Sequence, residues 1–206
     1  MRRPSASRAN LGKFLIENIG LDHVLMSFGS ASQFGLKGYR NFFPDHALPI
    51  LIDGIVSHEE MFYDTVYKPN FYSCVFNIIA ESSSQSDEFV YQSIFLTEKT
   101  WKPVIQYQIP IWYGVPGLVH EVRSLGFDVF DDVVNHSYDS VLDETQRYQQ
   151  VFDEIVKLNQ SYTLDQSHEL RLQLKSRLEK NYQHFCHREK QVVHQLKQYI
   201  HKFAST

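Results

Sequence analysis

From Phe71 to Ala80 the chain is almost unbroken apolar side chain, and the run ends abruptly at Glu81. Tyr72, Val75, Phe76, Ile78 and Ile79 leave no polar face, so a strand formed here must be covered on both sides. That is the condition of a parallel strand, since antiparallel sheets commonly leave one face in water. Parallel neighbours need long crossovers, usually helical, and the sequence supplies one. After a polar stretch from Ser82 to Gln92 come Phe95-Leu96-Thr97-Glu98-Lys99-Thr100-Trp101-Lys102-Pro103 and a second apolar run, Ile109 to Tyr113. Strand, polar loop, helix, strand is the predicted order, with Phe71–Glu81 at the centre of the sheet.

The same alternation continues. Gly114-Val115-Pro116-Gly117 makes a turn, Leu118 to Leu125 a helix stopped by Gly126, and Phe127 to Phe130 a short strand. A βαβαβ unit over 71–130 predicts an α/β fold, a Rossmann-like parallel sheet with helices on both faces. Pro103 has no N–H and is tolerated in the first turn of a helix, which favours Thr100 over Thr97 as its cap and leaves Glu98 and Lys99 in the loop at the helix mouth.

Upstream, Leu11, Phe14, Leu15 and Ile19 fall at helical spacing and predict a helix over 10–18, stopped by Gly20. His23 to Phe28 reads as a first strand. Gly35, Gly38 and Pro44 break up an irregular stretch, in which 49–55 is a short strand or an anchored loop and Ser57 to Phe62 a helix start. Downstream, Tyr148, Val151, Phe152, Ile155 and Leu158 mark an amphipathic helix. A second stripe, Leu174, Leu178, Tyr182, Phe185, Val193, Leu196, Ile200 and Phe203, marks a longer one. The resulting division is a nucleotide-binding domain over 1–160, with an irregular insertion near 29–70, and a helical extension over 161–206.

Composition narrows the function. The 206 residues, 43% apolar and 14% aromatic, suffice for a core, and the net charge of -4 argues against a general binder of nucleic acid or anionic membrane. No apolar stretch approaches the roughly 20 residues of a membrane span. Two cysteines, Cys74 and Cys186, form no disulfide framework, which fits a reducing, cytoplasmic compartment.

At the carboxyl end of a parallel sheet, helix N-termini attract anions. Glu81 and Thr97 to Thr100 fall there by construction. Free helical N–H groups and Lys99 suit a phosphate, and Glu98 suits the hydroxyls of a ribose; a solvated ion pair at a helix start is the ordinary alternative. The chain holds no G-x-G-x-x-G, no G-x-x-x-x-G-K-[ST] and no Asp-x-Asp triplet, so dehydrogenases, P-loop enzymes and metal-clamped sugar transferases lack support. His184, Cys186 and His187 do not share a helix face, and His187, His194 and His201 read as a polar stripe. No metal and no cofactor are expected.

These words, in this order, carry a resemblance. Asn77-Ile78-Ile79-Ala80-Glu81-Ser82, Phe95 to Lys102, Ile109-Pro110-Ile111-Trp112-Tyr113-Gly114 and Leu125-Gly126-Phe127-Asp128-Val129-Phe130 resemble the carboxyl-terminal, donor-binding half of GT-B-type glycosyltransferases. The likeness is to the phage, algal-virus and bacterial group related to the α1,3-fucosyltransferases. It implies a GT-B carboxyl-terminal domain that transfers a hexose or deoxyhexose from a UDP- or GDP-linked donor to a hydroxyl of a glycan acceptor. By resemblance Glu98 contacts ribose, Lys99 contacts diphosphate and Glu81 lies near the donor sugar or its ribose. Arg8, ahead of the first helix, is matched to a diphosphate-binding arginine, and Thr97, Thr100 and Tyr113 complete the donor-binding set. Relatives often carry an acidic residue before a Ser-Tyr-Asp triplet; here Asn135-His136 precede Ser137-Tyr138-Asp139.

The likeness covers about half the chain, which begins about where a GT-B second half begins. The acceptor site would then lie on a separate domain, or the chain would be a nucleotide- or partner-binding domain without turnover. His46, Asp53 and His58 are the available guesses for a general base. A homo-oligomer or an interaction protein built on the 174–203 stripe is a further option.

Overall fold

The computed structural model describes residues 6–26, 73–81, 94 and 96–204. Within them the chain is mixed α/β, a two-stranded parallel sheet with six α-helices. The expectations for 29–70 and for Ser82 to Gln92 lie outside the described residues, and so do His46, Asp53 and His58.

Helix α1 (Ala6–Asn18) begins a turn earlier than the apolar spacing implied and buries Arg8 together with Ala9, Leu11 and Leu15. It ends at Gly20, where the N–H groups of Ile19 and Gly20 both reach the Leu15 carbonyl. The strand expected at His23 does not form over 23–26, which is turn and irregular backbone.

Strand β1 (Phe76–Ala80) pairs in parallel with β2 (Ile109–Tyr113), Phe76 opposite Ile109 and Ala80 opposite Tyr113. The ladder extends one bond at each end, from Ile109 N–H to the Val75 carbonyl and from Glu81 N–H to the Tyr113 carbonyl. The fully covered strand is β2. In β1 only Ile79 and Ala80 are buried, so the central position expected for that run is not what its burial shows among the described residues.

Helix α2 (Glu98–Ile105) crosses from β1 to β2. Thr97, not Thr100, is its cap: its Oγ1 accepts from Lys99 N–H at 3.2 Å. Glu98 and Lys99 are therefore the first two helical residues rather than loop. Pro103 sits in the second turn and has no N–H to give the Lys99 carbonyl, but the helix ends two residues later, so the loss is confined to one bond. Trp101 from its outer face packs on Phe127 and Phe185, with centroids 5.0 and 5.8 Å away.

Helix α3 (Leu118–Ser124) buries Leu118, Val119 and Val122 and is closed by Gly126 at φ +90°, a conformation that L side chains rarely adopt. The segment Phe127–Phe130 is buried as expected of a strand, yet it is not one. Its backbone polar groups are taken by side chains: Asn181 accepts from Asp128 N–H at 2.9 Å and donates to the Asp128 carbonyl at 2.7 Å, and Asp128 Oδ1 accepts from Phe130 N–H. Phe130, at φ +61°, also departs from strand geometry. The βαβαβ unit thus reduces to one βαβ unit followed by an irregular buried segment.

Helix α4 (Glu144–Ser161), capped by Asp143, lays Val151, Ile155 and Leu158 on the core. Helix α5 (Leu164–Gln173), with a Thr163/Gln166 capping box, precedes the long stripe, which lies on α6 (Lys175–Ala204) with Leu174 just ahead of its start. Leu174 and Leu178 belong to the core, and Tyr182 packs at a tilt against Tyr107, ring centroids 5.3 Å apart. Farther along, Val192, Val193, Leu196 and Ile200 are exposed. Arg177 fastens the start of α6 to the 127–132 segment through bonds to both Asp128 and Asp132.

Candidate functional site

The carboxyl ends of β1 and β2 gather all seven residues expected at the site. Glu81 follows β1 directly and is 4% exposed. Its Oε2 accepts from Thr97 Oγ1 at 2.6 Å and its Oε1 from Thr100 Oγ1 at 2.5 Å. A buried carboxylate is costly unless its lone pairs are filled, and two threonine hydroxyls fill them here. Next to it Tyr113 ends β2 and sends its phenol to the Ser7 carbonyl at 3.0 Å, while Arg8, also 4% exposed, donates from Nη2 to the Ala80 carbonyl at 3.2 Å. Helix α1 is thereby tied to both strand ends.

Lys99 and Glu98 face outward from this buried layer. Lys99 Nζ lies 2.9 Å from Glu98 Oε1 and 3.4 Å from Thr97 Oγ1, with side-chain exposures of 31% for Lys99 and 70% for Glu98. Partial burial works to raise the Glu98 acid, but the hydrogen bond and charge of Lys99 outweigh it and hold the carboxyl below its ordinary value. The Glu98 carboxylate is therefore ionised at neutral pH. Burial drives the Tyr113 phenol in the opposite direction, far above its ordinary value, so it serves as a hydrogen-bond donor and not as a base. It stacks on Tyr148, centroids 4.0 Å apart.

A second helix N-terminus lies at the same edge, because α3 follows β2 through one tight turn. Gly117, at φ +83°, occupies its cap position and offers no side chain. Asp139, from the 3-10 turn Ser137–Ser140, does the capping instead: its two carboxylate oxygens accept from Val119 N–H at 2.9 Å and His120 N–H at 2.8 Å. Tyr138 beside it accepts from Trp112 N–H. Arg147 locks the same corner, donating to the carbonyls of Gly114, Val141 and Leu142 while itself fully buried.

Sequence reasoning missed the roles of Asp139 and Arg147. Signals for both were present: a helix start preceded by Gly-Val-Pro-Gly has no local cap, and Arg147 lies four residues before Val151 on the face that turns inward. His184, considered for a metal, instead sits on Phe127 with Nε2 2.8 Å from the Leu125 carbonyl. Among the described residues no three His, Cys, Asp or Glu side chains are grouped to hold a metal ion. No described helix is long and apolar enough to cross a membrane. Comparison with protein-family models, with curated proteins and with solved structures finds no match to this chain.

Proposed function

We propose that this chain is the donor-binding half of a metal-independent glycosyltransferase of GT-B type. It would take a UDP- or GDP-linked hexose or deoxyhexose and pass the sugar to a hydroxyl of a glycan acceptor. In that reading β1, α2 and β2 form part of a Rossmann-like sheet. One observation carries it: residues from four separated stretches, Arg8, Glu81, Thr97 to Thr100 and Tyr113, converge at the carboxyl end of a parallel strand pair, where such sheets take ligands.

The chemistry follows from the charges at α2. The first N–H groups of a helix carry roughly half a positive charge, and Lys99 adds a full one beside them. Together they favour the leaving diphosphate as its charge develops. Glu98, ionised and outward, suits the ribose hydroxyls. A second reading, nucleotide binding without turnover, is favoured by a specific feature: the Glu81 oxygens and the Tyr113 phenol are already engaged with protein partners, so neither is placed to take a proton from an acceptor.

A thermal-shift screen against UDP, GDP, CMP and their sugars tests the reading. Ligand at about a hundred times its Kd stabilises the native state by ~2.7 kcal/mol, a shift of several degrees. One nucleotide class should give that shift. Release of free sugar from the matching donor then separates enzyme from binding domain. No shift with any nucleotide contradicts both readings.

A further inference from the structure

Glu81 stands where the end of a parallel strand ordinarily meets a ligand, yet both of its oxygens face protein. A threonine hydroxyl has one proton to donate and two lone pairs to accept with. Thr97 spends its proton on Glu81, so its lone pairs are left for Lys99, whose N–H and ammonium lie 3.2 and 3.4 Å from Oγ1. Thr100, fully buried, spends its proton on the other Glu81 oxygen. The carboxylate therefore orients both hydroxyls, one of them the helix cap, and the orientation of that cap passes on to Lys99. Its own N–H is held by Tyr113, which fixes Glu81 to the sheet.

We propose that Glu81 is a positioning residue: it acts through Thr97 and Thr100 to set the first turn of α2 and the Lys99 ammonium, and it touches neither the donor sugar nor the ribose. This rests on the nucleotide-site reading and sharpens it, because the family resemblance places Glu81 against the ligand. The substitution Glu81→Gln keeps the shape but replaces one acceptor oxygen with a donor, so one hydroxyl must turn round.

Calorimetric titration of the full chain with UDP and GDP, and with a hexose-linked form of each, tests this. Wild-type protein should bind one base in both forms. Glu81→Gln should weaken the diphosphate and the sugar-linked form by the same factor, roughly tenfold, the worth of one hydrogen bond to a charged group. Little further loss should appear when Glu81→Gln is added to Lys99→Ala, because the effect passes through Lys99. If Glu81→Gln does not fold by circular dichroism, Thr97→Val supplies the same readout and Thr97→Ser should restore binding. A loss confined to the sugar-linked form would mean direct contact and overturns the proposal. So does a lower melting temperature with unchanged affinity in every variant, which is a purely structural role. Absence of wild-type binding to either base removes the nucleotide reading itself, and the proposal with it.

Discussion

Helices α2 and α3 both start at the carboxyl end of a strand in the same sheet, and both offer the backbone N–H groups that attract anions. They are finished differently. At α3 the protein supplies its own anion: the Asp139 carboxylate occupies the N–H groups of Val119 and His120, and Arg147 pins the approaching loop. At α2 the cap is a neutral threonine hydroxyl, the buried carboxylate stands one layer back, and the outward charges are the ammonium of Lys99 and the Glu98 carboxylate paired with it. One N-terminus is closed by a carboxylate and the other presents a Lys99–Glu98 ion pair, the ammonium of which a phosphate can engage. The comparison is why the nucleotide reading belongs to α2 alone.

The largest break in this comparison should come from Arg147→Ala. It strips three backbone carbonyls of their donor in a buried corner, which costs about 3 kcal/mol. Thermal unfolding should fall by roughly 6–12 °C in a chain of this length, with nucleotide affinity of the folded protein retained. Asp139→Ala is the milder version. Losing a helix cap costs about 1–2 kcal/mol, so the midpoint should drop by several degrees while the α2 site keeps its affinity. A loss of nucleotide binding in this variant would erase the distinction between the two helix ends.

The smallest effect is on pH. Burial lowers the pKa of His136, which precedes the Asp139 turn; its Nδ1 donates to Asp131, and its Nε2 is buried without a partner among the described residues. The folded state therefore binds that proton less readily than the unfolded chain does, so stability is full above the ordinary value of 6.5 and declines as pH falls below it. Asp131 titrates in a lower range and does not offset this. Melting curves between pH 7.5 and 5.5, on the order of two units spanning that pKa, should show a decline that His136→Phe removes.

Much of the site was legible in the sequence because it lies in short contiguous words. Glu81 ends its apolar run, Thr97 to Thr100 are adjacent, and Tyr113 ends the next run. What escaped depended on partners far along the chain. Phe127–Phe130 has the composition of a strand, but Asn181, more than fifty residues later, takes the bonds that a neighbouring strand would have made. The cap of α2 escaped for a local reason. Proline chemistry suits Pro103 to a first turn, whereas the eight-residue helix carries it in the second turn at the loss of one bond. The resemblance places Arg8 ahead of the first helix, whereas it lies in the first turn of α1, and its contact with the Ala80 carbonyl spans 72 residues, beyond what any local pattern records.

The most direct test is a calorimetric titration of the stabilising nucleoside diphosphate into wild type, Lys99→Ala and Asp139→Ala under one buffer and salt. Removing a charged hydrogen-bond donor to phosphate costs roughly 1.5–3 kcal/mol, so Lys99→Ala should bind tenfold to a hundredfold more weakly. Asp139→Ala should match wild type. Equal affinity in wild type and Lys99→Ala, or loss in Asp139→Ala alone, would contradict the assignment of the site to α2.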